Sequence, residues 1–337
     1  MIMPHFFSNC KAKGYSNELT NEVWRQMSSF AGYAFCKAHS ASYAVESYQS
    51  LYLKTYFPKE FYTAVINNFG GFYRTWVYVS EARRHGAKIN LPDINRSNYL
   101  TSITGDELYL GWVHVKNLEA NIANTIISER CRNGLFTDLF DFIERVPIGI
   151  EQLQILIKTG AFRFTNKSKK ELMWEQLVCV KADHDFTSKP MFKEHHKEFV
   201  LPPLRSDKIE DAYDEMDLIG FPVSITRFDM LKTSYRGDTN TKELLSKLGR
   251  TVRMVGELVT IKYVHTIRNE WMHFGCFLDP KGDFFDTVHF PNSLKKYPFT
   301  GYGVYLIEGK VVEEFGFPII EVQKLGRLPF QPDPRVE

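Results

Sequence analysis

The chain has 337 residues, of which 44% are apolar and 24% charged, with a formal charge of +2. That is the composition of a globular protein too long for one hydrophobic core, so two or three domains are expected. No run of about eighteen apolar residues is present, which argues against a membrane-spanning helix, and the N-terminal MIMPHFFSNC lacks a signal-peptide layout, which points to the cytoplasm. The five cysteines, Cys10, Cys36, Cys131, Cys179 and Cys276, include no Cys-x-x-Cys pair. This spacing disfavours a zinc centre and a disulfide framework, and suits a reducing compartment. Basic charge is concentrated early: residues 1–98 hold eleven Lys and Arg against six Asp and Glu, as a phosphate-facing element requires.

Residues 16–30, 40–68 and 72–86 read as helices, with Ser40 and Ser42 where caps belong and Pro58 at a break. Within Phe30 to Lys54 the aromatics Tyr33, Phe35, Tyr43, Tyr48 and Tyr52 recur at helical spacing around one polar interruption, Cys36-Lys37-Ala38-His39-Ser40. Lys37, His39 and Ser40 at a loop-to-helix junction, with Tyr43 one turn on, form a candidate phosphate or nucleic-acid site. A buried helical hairpin with a solvated turn accounts for the same spacing. Leu91-Pro92-Asp93-Ile94-Asn95-Arg96-Ser97 then stops the helical pattern with proline and Asx chemistry.

Residues 99–115 read as a short hairpin about a Gly105-Asp106 turn, followed by helices Ala120 to Arg132, Phe136 to Glu144 and Ile150 to Thr159. Residues 165–215 are charge-rich, with Pro190, Pro202 and Pro203, and read as a linker plus an amphipathic helix in which Asp211, Asp214 and Asp217 share an acidic face. Met191-Phe192 in that linker is a candidate docking peptide.

The cleanest pattern lies between 250 and 326. Strand-like runs cover Thr251–Tyr263, Glu270–Asp279, Phe284–Phe290, Gly303–Glu313 and Pro318–Leu325, with room for one short helix from Pro291 to Tyr297. Five strands with a helix before the fourth is the layout of the OB-fold, a small barrel that binds single strands or other ligands. Candidate outward groups are Lys262, Tyr263, Arg268, Trp271, His273 and His289, while Phe274, Phe277, Phe285 and Phe290 fall partly inside. A neutral charge balance here leaves a protein ligand open as an alternative. The whole reads as multidomain α+β: a mainly helical N-terminal two-thirds followed by a five-stranded OB-fold barrel.

Several of these motifs resemble the C-terminal part of the bacterial DNA polymerase III alpha subunit family. That family carries FAGYGFNKSHSAAYA, then SYQTAYLK and a Pro-x-Glu-Phe step. This chain has FAGYAFCKAHSASYA, Ser47 to Lys54, and Pro58-Lys59-Glu60-Phe61, with Ala34 for a glycine and Cys36 for an asparagine. Leu91 to Ser97 is similar to the family's PPDINxS, Gly256-Glu257-Leu258-Val259 to its first barrel strand, and Phe290-Pro291 to the end of its third. The resemblance implies fingers residues at 1–92, a helix-hairpin-helix duplex- and clamp-binding domain at 93–178, a linker and helical junction at 179–248, an OB-fold at 249–328 and a tail at 329–337.

It also implies that Lys37, His39, Ser40 and Tyr43 lie near the nucleotide or primer–template. The family's hairpin turn Ile-Lys-Gly-Val-Gly-Glu is here Val115-Lys116-Asn117-Leu118-Glu119. Lys116 and Asn117 would then touch duplex phosphates, against repulsion from the Glu119 carboxylate. Met191-Phe192 sits near the family's clamp peptide but lacks its glutamine, a departure that leans toward an error-prone paralogue. The family's magnesium-binding palm lies upstream, so the resemblance implies no catalytic, metal or cofactor residue in this chain and no polymerase activity by it alone. The implied partners are primer–template duplex, single-stranded template, the rest of the polymerase and the sliding clamp, with no membrane. A stand-alone DNA-binding module and a protein-interaction scaffold are the alternatives.

Overall fold

The computed structural model describes residues 2–33, 37–179, 204 and 206–336. The chain falls into two compact units, Met1–Phe61 and Tyr62–Glu337.

The first unit is helical. Helices α1 (Ile2–Ala12), α2 (Asn17–Tyr33) and α3 (Lys37–Tyr56) follow one another, and α4 (Pro58–Asn67) carries the chain into the second unit. Ser16 caps α2 by accepting from the Leu19 amide at 3.2 Å. Pro58 stands at the first position of α4, where a missing N–H costs nothing, so the expected 40–68 helix divides there. Phe6 and Phe7 pack α1 on α2 through Trp24, at 5.4 and 5.8 Å between ring centres. Thr20 is the one buried residue among the described residues of this unit. The aromatics of α3, Tyr43, Tyr48, Tyr52 and Tyr56, are exposed rather than buried as in a hairpin core. Tyr48, Tyr52 and Tyr56 stand four residues apart on one face of α3, with Tyr52 and Tyr56 in ring contact at 4.7 Å, and that face is open to solvent in this unit.

The second unit opens with the end of α4, then α5 (Thr75–Arg84) and a small sheet. Its strands β1 (Lys88–Asn90), β2 (Ser102–Thr104) and β3 (Glu107–Tyr109) lie in the order β1-β3-β2, the expected β2–β3 hairpin turning at Gly105 with φ +62°. Strand β1 pairs parallel to β3, so no hairpin turn in the sequence announces it. Helices α6 (Ala120–Asn133), α7 (Leu139–Arg145), α8 (Ile150–Thr159) and α9 (Lys169–Cys179) then enclose a core of Trp112, Ile126, Phe142, Leu156 and Phe162. Asp138 caps α7 by accepting from the Asp141 amide, and Gly160 ends α8 in a left-handed conformation at φ +77°.

Helix α10 (Lys208–Leu218) corrects the acidic-face reading. Asp214 is buried, bonded to Arg335 at 2.7 Å and Lys169 at 3.3 Å, and Glu215 is buried accepting the Ser224 amide at 2.9 Å. These carboxylates hold the C-terminal segment and the 220–224 turn in place instead of facing solvent.

The barrel consists of β4 (Thr251–His265), β5 (Trp271–Leu278), β6 (Phe284–His289), β7 (Val304–Glu314) and β8 (Phe317–Arg327), with α11 (Pro291–Lys296) before β7. It closes in the order β4-β5-β6-β8-β7, antiparallel throughout except for the parallel β6–β8 contact. This is the expected OB layout, with strand ends within two residues of those read from the pattern. Leu258, Phe277, Phe285, Ile307, Val311 and Ile320 fill the interior. Gly256 allows closure: a Cβ there would stand 2.6 Å from Cζ of Phe285.

Candidate nucleic-acid interface

Strands β4 and β5 run on beyond the barrel as a long hairpin, and their register sets what it presents. Tyr263 pairs with His273 and His265 with Trp271, so all four share the face that continues the barrel interior past Ile261 and Gly275. The rings touch across the strands, at 4.5 Å for Tyr263–His273 and 3.8 Å for His265–Trp271. Tyr263 is 60% and Trp271 54% exposed, leaving ring faces for a planar ligand. Lys262 pairs with Phe274 on the opposite face, and Arg268 lies in the exposed turn. The six expected residues therefore divide into an aromatic ladder, two flanking cations and one buried ring. His265 is a ladder member that sequence reasoning missed. Counting outward from the Thr266–Asn269 turn would have paired it with Trp271.

His289 departs from its expected outward position. It is 0% exposed, its Nε2 lies 2.9 Å from the Thr287 hydroxyl, and Phe299 covers it at 4.5 Å. Two-residue alternation places His289 on the interior face with Phe285 and Thr287, opposite His273 on β5, and Val288 on the other face is buried as well. Burial, reinforced by the neighbouring His273, pushes the His289 pKa down to about 3, and burial also lowers that of His273. Both rings are neutral at pH 7, which leaves Lys262 and Arg268 as the cations among these six. Phe290, expected partly inside, is exposed at the start of α11, whereas Phe277 and Phe285 are buried as expected.

On barrels of this topology the outer surface of the second and third strands, here β5 and β6, usually carries oligonucleotides. In this chain its lower part is occupied by α5. Val77 and Trp76 pack on Val259, Leu278 and Phe284, Tyr73 approaches Phe284 at 6.5 Å, and Arg84 pairs with Asp283 in the β5–β6 turn. Burial beneath this cover, with Asp286 adjacent, pushes the Cys276 thiol up to about 12. The surface left open is the hairpin end with its aromatic ladder.

The second candidate is the turn before α6. Asn117 takes a left-handed conformation at φ +62°, which asparagine tolerates in place of glycine. Lys116 and Asn117 are both exposed. Gln152 on α8 clamps the turn: its Oε1 accepts from the Glu119 amide and its Nε2 donates to the Asn117 carbonyl, both at 2.9 Å. An amide that would otherwise face a phosphate is thus satisfied internally, and the Glu119 carboxylate is exposed beside it.

The third candidate is the start of α3, in the first unit. His39, Ser40 and Tyr43 are exposed there, with His39 edge-on to Tyr43 at 4.4 Å; Lys37 is the first residue of the helix. Met191 and Phe192 lie outside the described residues. Among the described residues no group of three or more His, Cys, Asp or Glu is placed to hold a metal ion, and no helix is long and apolar enough to cross a membrane.

Residues 86–172 match a family described as a helix-hairpin-helix motif. Among solved structures the chain is similar to the N-terminal domain of PriB protein from Thermoanaerobacter tencongensis, at 14% identity over 23% of this chain and 96% of that one, TM-score 0.21. It is also similar to the second OB-fold domain of replication protein A from Methanococcus maripaludis, at 15% identity over 24% and 84%, TM-score 0.18. Over 92% of its length it is 29% identical to the DNA polymerase III subunit alpha of Borreliella burgdorferi, and over 91% it is 27% identical to that of Staphylococcus aureus strain MSSA476. It spans 28% and 29% of the length of these two relatives. The chain is thus similar to the C-terminal portion of these DNA polymerase III alpha subunits.

Proposed function

We propose that this chain is the DNA-gripping portion of an alpha-type polymerase subunit, holding single-stranded template and primer–template duplex while polypeptide outside it adds nucleotides. The observation that carries the reading is the ladder of Tyr263, His265, Trp271 and His273 on the β4–β5 hairpin, with Arg268 in its turn and Lys262 on the other face of the same hairpin. Stacked rings bind bases of any sequence at roughly 1–3 kcal/mol per base, and two cations on the same hairpin suit a backbone of phosphates. In this reading Lys37, His39, Ser40 and Tyr43 face the primer–template or incoming nucleotide, and Met191-Phe192 is a clamp-docking peptide. The remainder of the polymerase is the principal protein partner.

The test is fluorescence anisotropy with labelled oligo(dT) and a primer–template duplex. Trp271→Ala weakens single-strand binding by about tenfold, and Lys262→Ala with Arg268→Ala flattens its salt dependence by about one unit of log–log slope. Unchanged affinity in both variants overturns the assignment to the hairpin. Primer extension by the chain alone would contradict the proposed division of labour.

A further inference from the structure

The opposite end of the barrel carries a feature that strand binding does not use. Strands β7 and β8 are joined by a two-residue turn, Phe315-Gly316, with φ +52° and +84°. Such primed turns favour Asn-Gly, because both central residues need left-handed backbone. A phenylalanine there is strained, and nothing within the chain recovers the cost, since Phe315 is 95% exposed. Phe317, just after the turn, is 73% exposed. Together they wall a groove of about 410 Å³ whose floor is Leu244 and Phe285, both buried in the barrel core.

The rim is acidic. Glu314 and Asp286 line the groove. Glu313 and Glu314 have no ion-pair partner among the described residues, and the nearby Lys242 is engaged by Asp283 at 3.4 Å. Unpaired carboxylates beside exposed aromatic rings repel a phosphate backbone, so nucleic acid is a poor occupant. They attract a segment that is apolar at its centre and basic at its edges. The volume suits one or two anchoring side chains, and aromatic walls of this kind are where binding energy concentrates in protein interfaces.

We propose that the groove beneath the Phe315–Phe317 turn docks a short peptide of another protein, with a Leu, Ile or Phe anchor seated between the rings and flanking Lys or Arg against Glu314 and Asp286. The strained turn holds the ring in solvent ahead of binding, so the partner need not supply the energy to order it.

The full chain serves as bait for a displayed random peptide library, and enriched peptides are synthesised for anisotropy titration. The expected consensus is an apolar anchor flanked by Lys or Arg. Phe315→Gly weakens those peptides by about tenfold while leaving the melting temperature equal or higher, because glycine accepts this backbone freely. Charge reversal at the groove, Glu314→Lys, shifts selection toward acidic flanks. The proposal is overturned by absence of a consensus, by an acidic consensus with the native chain, or by peptides that bind Phe315→Gly undiminished. It is overturned equally if Phe315→Gly impairs oligo(dT) binding, or dissociates a dimer in sedimentation, since the groove would then serve DNA or a second copy.

Discussion

A buried ion pair lies at the junction between the helical part of the second unit and the barrel, and removing one partner is a sharp test of how the two are joined. Glu257 on β4 is buried and bonded to Arg227, whose guanidinium also lies 5.3 Å from the centre of the Trp76 ring on α5. Burial raises the Glu257 pKa above its ordinary value despite the attraction of Arg227. Arg227→Met leaves the carboxylate buried and uncompensated, which costs about 3–5 kcal/mol at pH 7. In a unit of this size that is a fall of roughly 10 °C in melting temperature. The penalty depends on pH with a definite sign. A carboxyl with a raised folded pKa binds more protons folded than unfolded, so stability falls as pH rises through the interval between the two values. Without Arg227 that interval widens toward neutrality, and the variant recovers on acidification as the carboxyl takes up its proton. Melting or urea unfolding of wild type and variant at pH 7 and pH 5 therefore shows the gap narrowing to about 1 kcal/mol, the scale of the lost hydrogen bond. Buried histidines titrate in both proteins and cancel in the difference. Glu257→Gln added to Arg227→Met restores most of the loss at pH 7. A gap equal at both pH values, or a single variant within about 0.5 kcal/mol of wild type, refutes the argument.

Gly256→Ala places a methyl 2.6 Å from Phe285 Cζ and 3.0 Å from Phe277 Cβ, and unfolding measurements show a loss of about 1–3 kcal/mol. Phe285→Leu in the same chain relieves the overlap, so the double variant loses less than the sum of the singles; strict additivity contradicts the close approach. Burial holds His114 near pKa 4 and His289 near 3, against 6.5 when unfolded, so their contribution is complete above pH 6.5 and is lost as pH falls. Each costs about 2 kcal/mol by pH 5, and His289→Gln flattens the stability profile between pH 7 and pH 5; an equally steep profile in that variant refutes its burial. At the turn before α6, Glu119→Gly alone changes duplex affinity less than about twofold because Gln152 still occupies the amide, whereas Glu119→Gly with Gln152→Ala strengthens binding severalfold with a steeper salt dependence. Equal gains from both would mean that the carboxylate, and not the clamp, silences this turn.

What the sequence disclosed follows from the range of the forces involved. The barrel was legible because its strands alternate apolar and polar residues, and glycines mark the places where backbone must bend or another side chain must enter, as at Gly256 and Gly105. Asn117 was legible as a left-handed turn residue for the same local reason. Features set by long-range packing were not. His289 was read as outward although alternation from Phe285 through Thr287 turns it inward, where Phe299, ten residues on, seals the barrel end over it. The acidic residues of α10 read as one acidic face, but nothing local showed that Arg335 and Lys169 would be brought to Asp214 from distant parts of the chain. Gln152 carried no signal at all, since its importance lies in reaching Asn117 and Glu119 across 35 and 33 residues.

The position of α5 has a consequence for how such a barrel can hold a strand. A ligand lying along the β5–β6 face would have to displace Trp76 and Val77 from Leu278 and Phe284, and break the Arg84–Asp283 pair as well. Uncovering apolar side chains costs about 25 cal/mol per Å² exposed, so two such residues cancel much of what one or two stacked bases return. Binding at the β4–β5 hairpin requires no such exchange, because Tyr263 and Trp271 are already in solvent. In the proposed function, the cover confines the strand to the protruding end of the barrel. It also fixes that end against the helical core, since α5 joins both. A mobile barrel on a linker would hold DNA as well, but it could not set the direction in which the strand leaves the duplex. In the proposed function a barrel clamped through α5 sets that direction, and a fixed orientation of this kind is what positioning contributes to a reaction.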